Sequence, residues 1–166
     1  PDFSGTWAED ESQRKSPYAQ PVSGGAKVLA GPPPELSITQ TPDTLTIQEV
    51  GTRGNRRVMY DLTAKEGINR WGAITETTKT RWEGETLVTE GTQYQITSHG
   101  ETTWKVKTMR SLRPNGEMAV AETRVDEGGE SRTLVRVYRR KYTPTFNSDS
   151  RLSWQETRSS GAVRCG

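Results

Sequence analysis

The stretch Phe3-Ser4-Gly5-Thr6-Trp7 and a second one near the other end, Leu134-Val135-Arg136-Val137-Tyr138-Arg139-Arg140, decide the fold class. In both, bulky or apolar side chains recur on every second residue, which is typical of a β-strand with an inner face. A closed barrel needs strands of this kind at its start and its end, because closure pairs the first strand with the last. We therefore expect the two stretches to pair and Trp7 to be buried at one end of a barrel, near the last strand.

Between these stretches the chain contains further runs in which apolar residues or threonines alternate: 36–40, 45–50, 56–62, 73–82, 86–96, 102–112 and 118–125. Turn residues separate the runs at short, even spacing. The strongest hairpin signal is Asn115-Gly116, because both residues tolerate the positive φ values of turns that match strand twist. No run has the period of a crossover helix. The sequence predicts an all-β protein, an antiparallel up-and-down β-barrel of about nine strands.

The predicted barrel occupies residues 1–141 as one domain, and a tail follows over residues 142–166. Hydrophobic residues make up only 30% of the chain and the mean hydropathy is -0.87, yet the apolar residues are concentrated in the alternating runs, as a folded core requires. Residues 8–35 are rich in Ser, Gly and Pro and have neither strand nor helix period. They predict a long loop, either a functional lid or an insertion.

Composition argues against several classes of function. Lys and Arg number 23 against 21 Asp and Glu, so the net charge of +2 gives little attraction for nucleic acid. No segment approaches the roughly 18 apolar residues of a membrane helix. The single histidine, His99, falls in a turn, so neither a metal cluster nor a Ser-His-Asp arrangement is expected. Glu76 and Glu122 are the candidate acid and base, but spacing in the sequence cannot show that they meet across a barrel. The sequence predicts no enzyme activity, no cofactor and no metal site.

Several motifs, taken in order, resemble those of the calycin superfamily. The opening Phe3 to Trp7 is similar to the Gly-x-Trp start of lipocalins and intracellular fatty-acid-binding proteins. The later half resembles the fatty-acid-binding proteins in three stretches: Trp82-Glu83-Gly84 to Leu87-Val88, Asn115 to Val120, and Arg136-Val137-Tyr138. The likeness covers residues 3–141 and is greatest to small secreted bacterial lipocalin-like domains of unassigned function. It implies a barrel that binds a small hydrophobic or amphipathic ligand. Residues 8–35 stand where the fatty-acid-binding proteins have paired lid helices, and the second lipocalin motif is absent.

One predicted face of the later strands carries five candidate ligand-binding side chains: Trp104, Arg110, Arg124, Arg136 and Tyr138. In fatty-acid-binding proteins an Arg-x-Tyr pair on the last strand holds the ligand carboxylate, and Arg136 and Tyr138 occupy the matching places. The resemblance therefore implies an anionic head group at this pair. Two alternatives without a ligand remain open. Arg136 pairs with Glu122 in a filled interior, or an arginine near the closing strand packs over Trp7.

The tail supports a second hypothesis, a structural or accessory subunit of an extracellular or cell-envelope assembly. It carries Leu152, Trp154 and the only cysteine, Cys165, which has no partner for a disulfide within the chain. Leaving a tryptophan in water forgoes roughly 1.5–3 kcal/mol of burial. We therefore expect Leu152 and Trp154 to dock in a groove, on a neighbouring chain more readily than on their own barrel, with Cys165 in the same partner-binding segment. The start at Pro1, without a Met, fits a secreted or periplasmic protein and equally a trimmed chain.

Overall fold

The computed structural model describes residues 1–15, 35–51 and 55–141. These residues form one sheet of ten antiparallel strands, with the order β4-β3-β2-β1-β10-β9-β8-β7-β6-β5. A short 3-10 helix, Glu11–Gln13, follows the first strand. The predicted antiparallel up-and-down β-barrel is confirmed. The strands are β1 (Gly5–Glu9), β2 (Glu35–Gln40), β3 (Thr44–Val50), β4 (Arg56–Asp61), β5 (Glu66–Trp71), β6 (Ile74–Glu83), β7 (Thr86–Thr97), β8 (Gly100–Leu112), β9 (Met118–Val125) and β10 (Ser131–Lys141).

The first and last strands pair, as the sequence predicts. Trp7 lies opposite Arg140 in the antiparallel register of β1 and β10, and opposite Leu36 on the other side, in β2. Trp7 is fully buried, and its indole Nε1 donates a 2.8 Å hydrogen bond to the carbonyl of Phe3. Phe3 is also fully buried and stacks on Trp82 at 5.8 Å between ring centroids. These aromatic rings fill one end of the barrel, which we call the closed end.

Strands β4 and β5 are the two edges of the sheet, and the barrel closes between them through a side chain. No backbone ladder links these two strands. Instead, the amide of Asn69 on β5 bonds the backbone of Met59 on β4 in both directions. Its Oδ1 accepts from Met59 N at 2.8 Å and its Nδ2 donates to Met59 O at 3.0 Å. We call the line between β4 and β5 the seam. At the seam the sheet keeps two edges, contrary to the prediction that closure removes them, whereas all other neighbouring strands of the described chain are joined by backbone ladders.

The strand missing from the prediction is β5, so the count is ten and not nine. The turn before β5 contains Ala64 at φ +62. In the sequence, Lys65 and Gly67 resemble further residues of this turn, so the start of β5 is hidden. The inward positions of β5 include Gly67 and Asn69, which pair with Thr78 and Glu76 of β6, so the strand lacks the alternation of apolar residues that marks the others. Asn69 forms its contact with β4 through the side chain, which no strand pattern shows.

The predicted loop 8–35 is shorter at both ends than expected. Ala8 and Glu9 continue β1, because they still pair with Arg139 and Tyr138 of β10, and Glu35 already belongs to β2. After the 3-10 helix, Lys15 pairs once more with β10, at Val135. The rest of this predicted loop, residues 16–34, lies outside the described residues, as does the whole predicted tail.

A glycine in β7 allows the neighbouring strand to approach very closely. A Cβ added to Gly91 would lie 2.0 Å from the carbonyl oxygen of Thr77 and 2.7 Å from the Cα of Thr78, both in β6. Real Cβ atoms do not come this close to backbone atoms. Gly91 is therefore required by the packing of β7 against β6, which forms part of the polar interior described below.

Candidate ligand-binding site

The strand register brings the predicted face of the later strands into the barrel. Arg110 of β8 lies opposite Val120 of β9, and Val120 lies opposite Arg136 of β10, so the two arginines stand in one cross-strand row. Tyr138 follows two residues along β10, opposite Met118, and both belong to the buried core. The prediction that these side chains share the inner face is confirmed. Their role as ligand contacts stays a prediction.

The interior has two chemically different walls. Strands β2 to β4 contribute an apolar wall of buried side chains: Leu36, Ile38, Leu45, Ile47 and Val58. Strands β6 to β8 contribute buried polar side chains: Glu76, Thr78, Thr80, Thr89, Gln93 and Arg110. The inside of the barrel is therefore amphipathic across its width, with hydrocarbon facing hydrogen-bonding groups.

Arg110 is the buried positive charge of the polar wall. Only 6% of the residue is exposed, and its Nη1 donates a single 3.3 Å hydrogen bond to Thr89 Oγ1. Its guanidinium lies over the ring of Tyr60, 5.2 Å from the centroid. No carboxylate among the described residues forms an ion pair with it, whereas the outer arginine Arg81 bonds both Glu83 and Glu90. Arg110 thus has no direct carboxylate partner among the described residues.

Glu76 is the buried negative charge of the same wall, and it is held by two neutral donors. The hydroxyl of Tyr60 donates to Glu76 Oε1 at 3.2 Å, and Nε2 of Gln93 donates to Glu76 Oε2 at 2.7 Å. Burial raises the pKa of Tyr60 to about 12, so its hydroxyl remains protonated and remains a donor at neutral pH. The other amide atom, Gln93 Oε1, is buried and has no hydrogen-bond partner among the described residues.

Arg136 and Tyr138 lie beside this wall on β10. Arg136 is half-buried, and its Nε lies 3.9 Å from Glu9 Oε1, a carboxylate that Arg14 also contacts at 2.6 Å. Tyr138 is 4% exposed, and burial raises its pKa to about 12. Its hydroxyl is therefore neutral at neutral pH. This hydroxyl makes no hydrogen bond within the described part of the chain. Arg136 is only loosely held, and the Tyr138 hydroxyl is available as a donor.

Of the two alternatives without a ligand, the pairing of Arg136 with Glu122 is wrong. Glu122 bonds Arg124 instead, at 2.7 Å, because the two are neighbours on the same face of β9. The second alternative is confirmed with a named residue: the guanidinium of Arg140 lies 4.7 Å from the ring centroid of Trp7. This contact belongs to the closed end and leaves Arg110 and Arg136 in the interior.

Trp104 and Arg124 lie on the inner face, but farther from the closed end. Trp104 is opposite Gln93 and Arg124 is opposite Val106. Although these positions point inward, several of the side chains are only half-buried, namely Trp104, Thr108, Glu122, Arg124 and Leu134. These inner side chains therefore keep part of their surface exposed to solvent. The five candidates separate into a central group, Arg110, Arg136 and Tyr138, and a pair farther from the closed end.

The sequence analysis did not identify Tyr60 and Gln93 as candidate site residues, and it considered Glu76 only as an acid or base. The sequence does mark Glu76 and Gln93, because both occupy inner positions of the long threonine-rich runs, where an apolar residue is expected. Tyr60 is not marked in this way, because a tyrosine at an inner strand position is ordinary core.

The residues considered for acid–base catalysis lie in separate surroundings in the described part of the chain. Glu76 and Glu122 have different partners and share no hydrogen bond. His99 lies in the exposed turn between β7 and β8, where its Nδ1 contacts Ser98 Oγ at 3.2 Å. Over residues 1–15, 35–51 and 55–141, no group of three or more potential metal ligands comes together. No helix in these residues is long and apolar enough to cross a membrane.

The predicted partner-binding residues Leu152, Trp154 and Cys165 lie outside the described residues, so docking of the tail stays a prediction.

Known structures share this architecture. One is the REP1-NXSQ fatty acid transporter, with a TM-score of 0.58 and 17% identity, where the similarity covers 86% of this chain and 98% of that one. Another is the apo form of lipid binding protein 8 of Caenorhabditis elegans, with a TM-score of 0.52 and 15% identity, covering 84% and 95%. No protein-family model matches the sequence, and no curated protein does so either. At such identity the likeness shows the fold alone, an antiparallel β-barrel.

Proposed function

We propose that this protein binds a small amphipathic anion of the fatty-acid type inside its barrel and does not convert it chemically. The observation that carries the proposal is Arg110, whose buried guanidinium has no carboxylate partner in the described part of the chain. An unpaired charge in a protein interior is costly unless something compensates it. A negative group brought by a ligand would supply that compensation.

The surroundings of Arg110 suit an anionic head group. Arg110 and Arg136 stand in one row two strands apart, which corresponds to about 10 Å between their Cα atoms at the usual strand spacing. Two long arginine side chains on the same face span that distance and converge on one anion. The protonated hydroxyl of Tyr138 adds a donor next to Arg136. Charge-assisted hydrogen bonds of this kind are the strong ones in a low-dielectric interior.

The opposite wall suits an alkyl chain. Ile38 and Ile47 lie opposite each other on β2 and β3, and Val58 continues the row on β4. Each CH₂ group transferred from water to such a surface contributes about 0.8 kcal/mol. The names of the structural neighbours, a fatty acid transporter and a lipid binding protein, support the same ligand class.

The test compares an acid with its uncharged analogue. The full chain is titrated with hexadecanoic acid and with hexadecanol, and binding is followed by displacement of a bound fluorescent anion. In Arg110→Met we expect the acid to bind about 10- to 100-fold more weakly, because a hydrogen bond to a charged group contributes about 1.5–3 kcal/mol. Binding of the alcohol should change little. Arg81→Met, which removes an outer arginine that already has carboxylate partners, is the matched control.

Two outcomes would count against the proposal. If the parent protein binds neither compound, the carrier function is wrong. If Arg110→Met binds the acid as tightly as the parent, the protein is still a carrier but the anion lies elsewhere.

A further inference from the structure

The unpartnered oxygen of Gln93 bears on which amphiphile the barrel takes. Gln93 is 4% exposed, and its fully buried Oε1 has no hydrogen-bond partner among the described residues. Native proteins rarely leave such an atom unmatched, because its lost hydration costs about as much as a hydrogen bond. An unpartnered acceptor at an inner position of the barrel calls for a donor, which a ligand can supply.

Rotating the amide by 180° does not remove the problem. Nε2 of Gln93 donates to Glu76 Oε2 at 2.7 Å, and exchanging the two amide atoms would set a carbonyl oxygen against a carboxylate oxygen. The orientation is therefore fixed by Glu76, and Oε1 is left without a donor. Glu76 itself receives one donor at each oxygen, so it has acceptor capacity left. Glu76 and Gln93 Oε1 therefore form a second polar point, in which two adjacent acceptors have capacity left.

This second point is separate from the anion site. Gln93 is opposite Trp104, and 110 minus 104 gives six residues along β8 to Arg110, or at most about 20 Å between backbone levels. Tyr60 lies between the two points, with its ring under the guanidinium of Arg110 and its hydroxyl on Glu76. A ligand with its anion at Arg110 and its chain directed along β8 towards Trp104 would therefore pass Gln93 along its chain.

Resting on the proposed function, we infer that the ligand is a long-chain hydroxy acid: its carboxylate binds Arg110, and a hydroxyl along its alkyl chain donates to Gln93 Oε1. Glu76, next to Gln93, accepts from the same part of the ligand. An unsubstituted fatty acid would bind Arg110 through its carboxylate but would bury Gln93 Oε1 against hydrocarbon. The site thus selects for a polar substituent that an apolar barrel would reject.

The experiment measures a ratio of affinities. Hexadecanoic acid and its monohydroxy isomers, with the hydroxyl moved stepwise along the chain, are titrated against the full protein by displacement of the fluorescent anion. We expect a mid-chain isomer to bind about five- to tenfold more tightly than hexadecanoic acid, the gain of one hydrogen bond to a buried acceptor. In Gln93→Met this ratio falls to about one or below. Gln95→Met, one inward position farther along β7, keeps the ratio of the parent.

A second measurement serves if Gln93→Met does not fold. In isotope-labelled parent protein, the side-chain amide resonances of Gln93 should shift on adding the hydroxy acid and stay in place on adding hexadecanoic acid.

Failure of the proposed function and failure of the hydroxyl site give different results. If the parent binds no fatty acid at all, the proposed function is wrong. If it binds hexadecanoic acid through Arg110 but every hydroxy isomer binds equally or more weakly, the hydroxyl site is wrong and the carrier function stands. A preference that persists in Gln93→Met also overturns the assignment.

Discussion

Replacing Asn69 by Ala should weaken the barrel at the seam. The substitution removes two hydrogen bonds to Met59, of 2.8 and 3.0 Å, and leaves the amide and the carbonyl of that residue without a partner. At about 1 kcal/mol for each net hydrogen bond, the free energy of unfolding should fall by about 2 kcal/mol. Urea denaturation measures the global loss. Hydrogen exchange at the Met59 amide measures the local one, and we expect this proton to lose its protection.

The variant Asn69→Asp separates the hydrogen bonds from the loss of volume. It keeps the acceptor for Met59 N but turns the donor into a carboxylate oxygen facing Met59 O. At neutral pH it should be at least as unstable as Asn69→Ala, and below the pKa of the new carboxyl it should regain part of its stability, because a protonated oxygen donates again. If Asn69→Ala unfolds at the same urea concentration as the parent, and Met59 exchanges at the same rate, the amide does not hold the seam.

Two further predictions concern β7 and the buried tyrosines. Gly91→Ala should lose more than about 3 kcal/mol of unfolding free energy in urea titrations, because its Cβ would overlap the backbone of Thr77, whereas Gly67→Ala, whose nearest neighbour is 4.0 Å away, should stay within about 1 kcal/mol of the parent. Burial raises the pKa of Tyr60 and Tyr138 from 10.0 to about 12, so the folded state retains these protons longer than the unfolded state. Stability should be full below pH 10 and decline towards pH 12, and a Tyr60→Phe/Tyr138→Phe variant should show a smaller decline over that interval.

The fold was largely predictable because most strands bury one face, and a period of two is visible in any such strand. The exceptions have physical causes. Strand β5 carries Gly67 and Asn69 at inward positions, so the period is missing. Strand β1 runs two residues farther than predicted, and Phe3 precedes it. The backbone N–H of Phe3 bonds the side chain of Gln40, at 3.0 Å, and not a neighbouring strand. Such a side-chain contact between distant residues leaves no trace in local sequence.

For the site, alternation was enough to place Arg110, Arg136 and Tyr138 on one face, but not to name their partners. Partners depend on how the sheet curls. Glu9 approaches Arg136 only because β1 pairs with β10. Tyr60 reaches Glu76 only because β4 and β6 are brought together across the seam. The sequence likewise could not show that Arg110 has no direct carboxylate partner among the described residues, since it contains enough carboxylates to pair with every arginine.

The sheet order also determines which rearrangements of the chain preserve the barrel. Read from β5, the order runs from β5 to β10 and then from β1 to β4, which is the chain order rotated by four strands. A circular permutant that began at Glu66 and ended at Asp61, with Lys141 joined to Pro1 by a short linker, would keep every ladder of the described strands. The pairing of β1 with β10 would then become a hairpin between consecutive strands. Because folding slows as contacts join more distant residues, the permutant would fold faster, and its new termini would lie at the seam, where no ladder is cut.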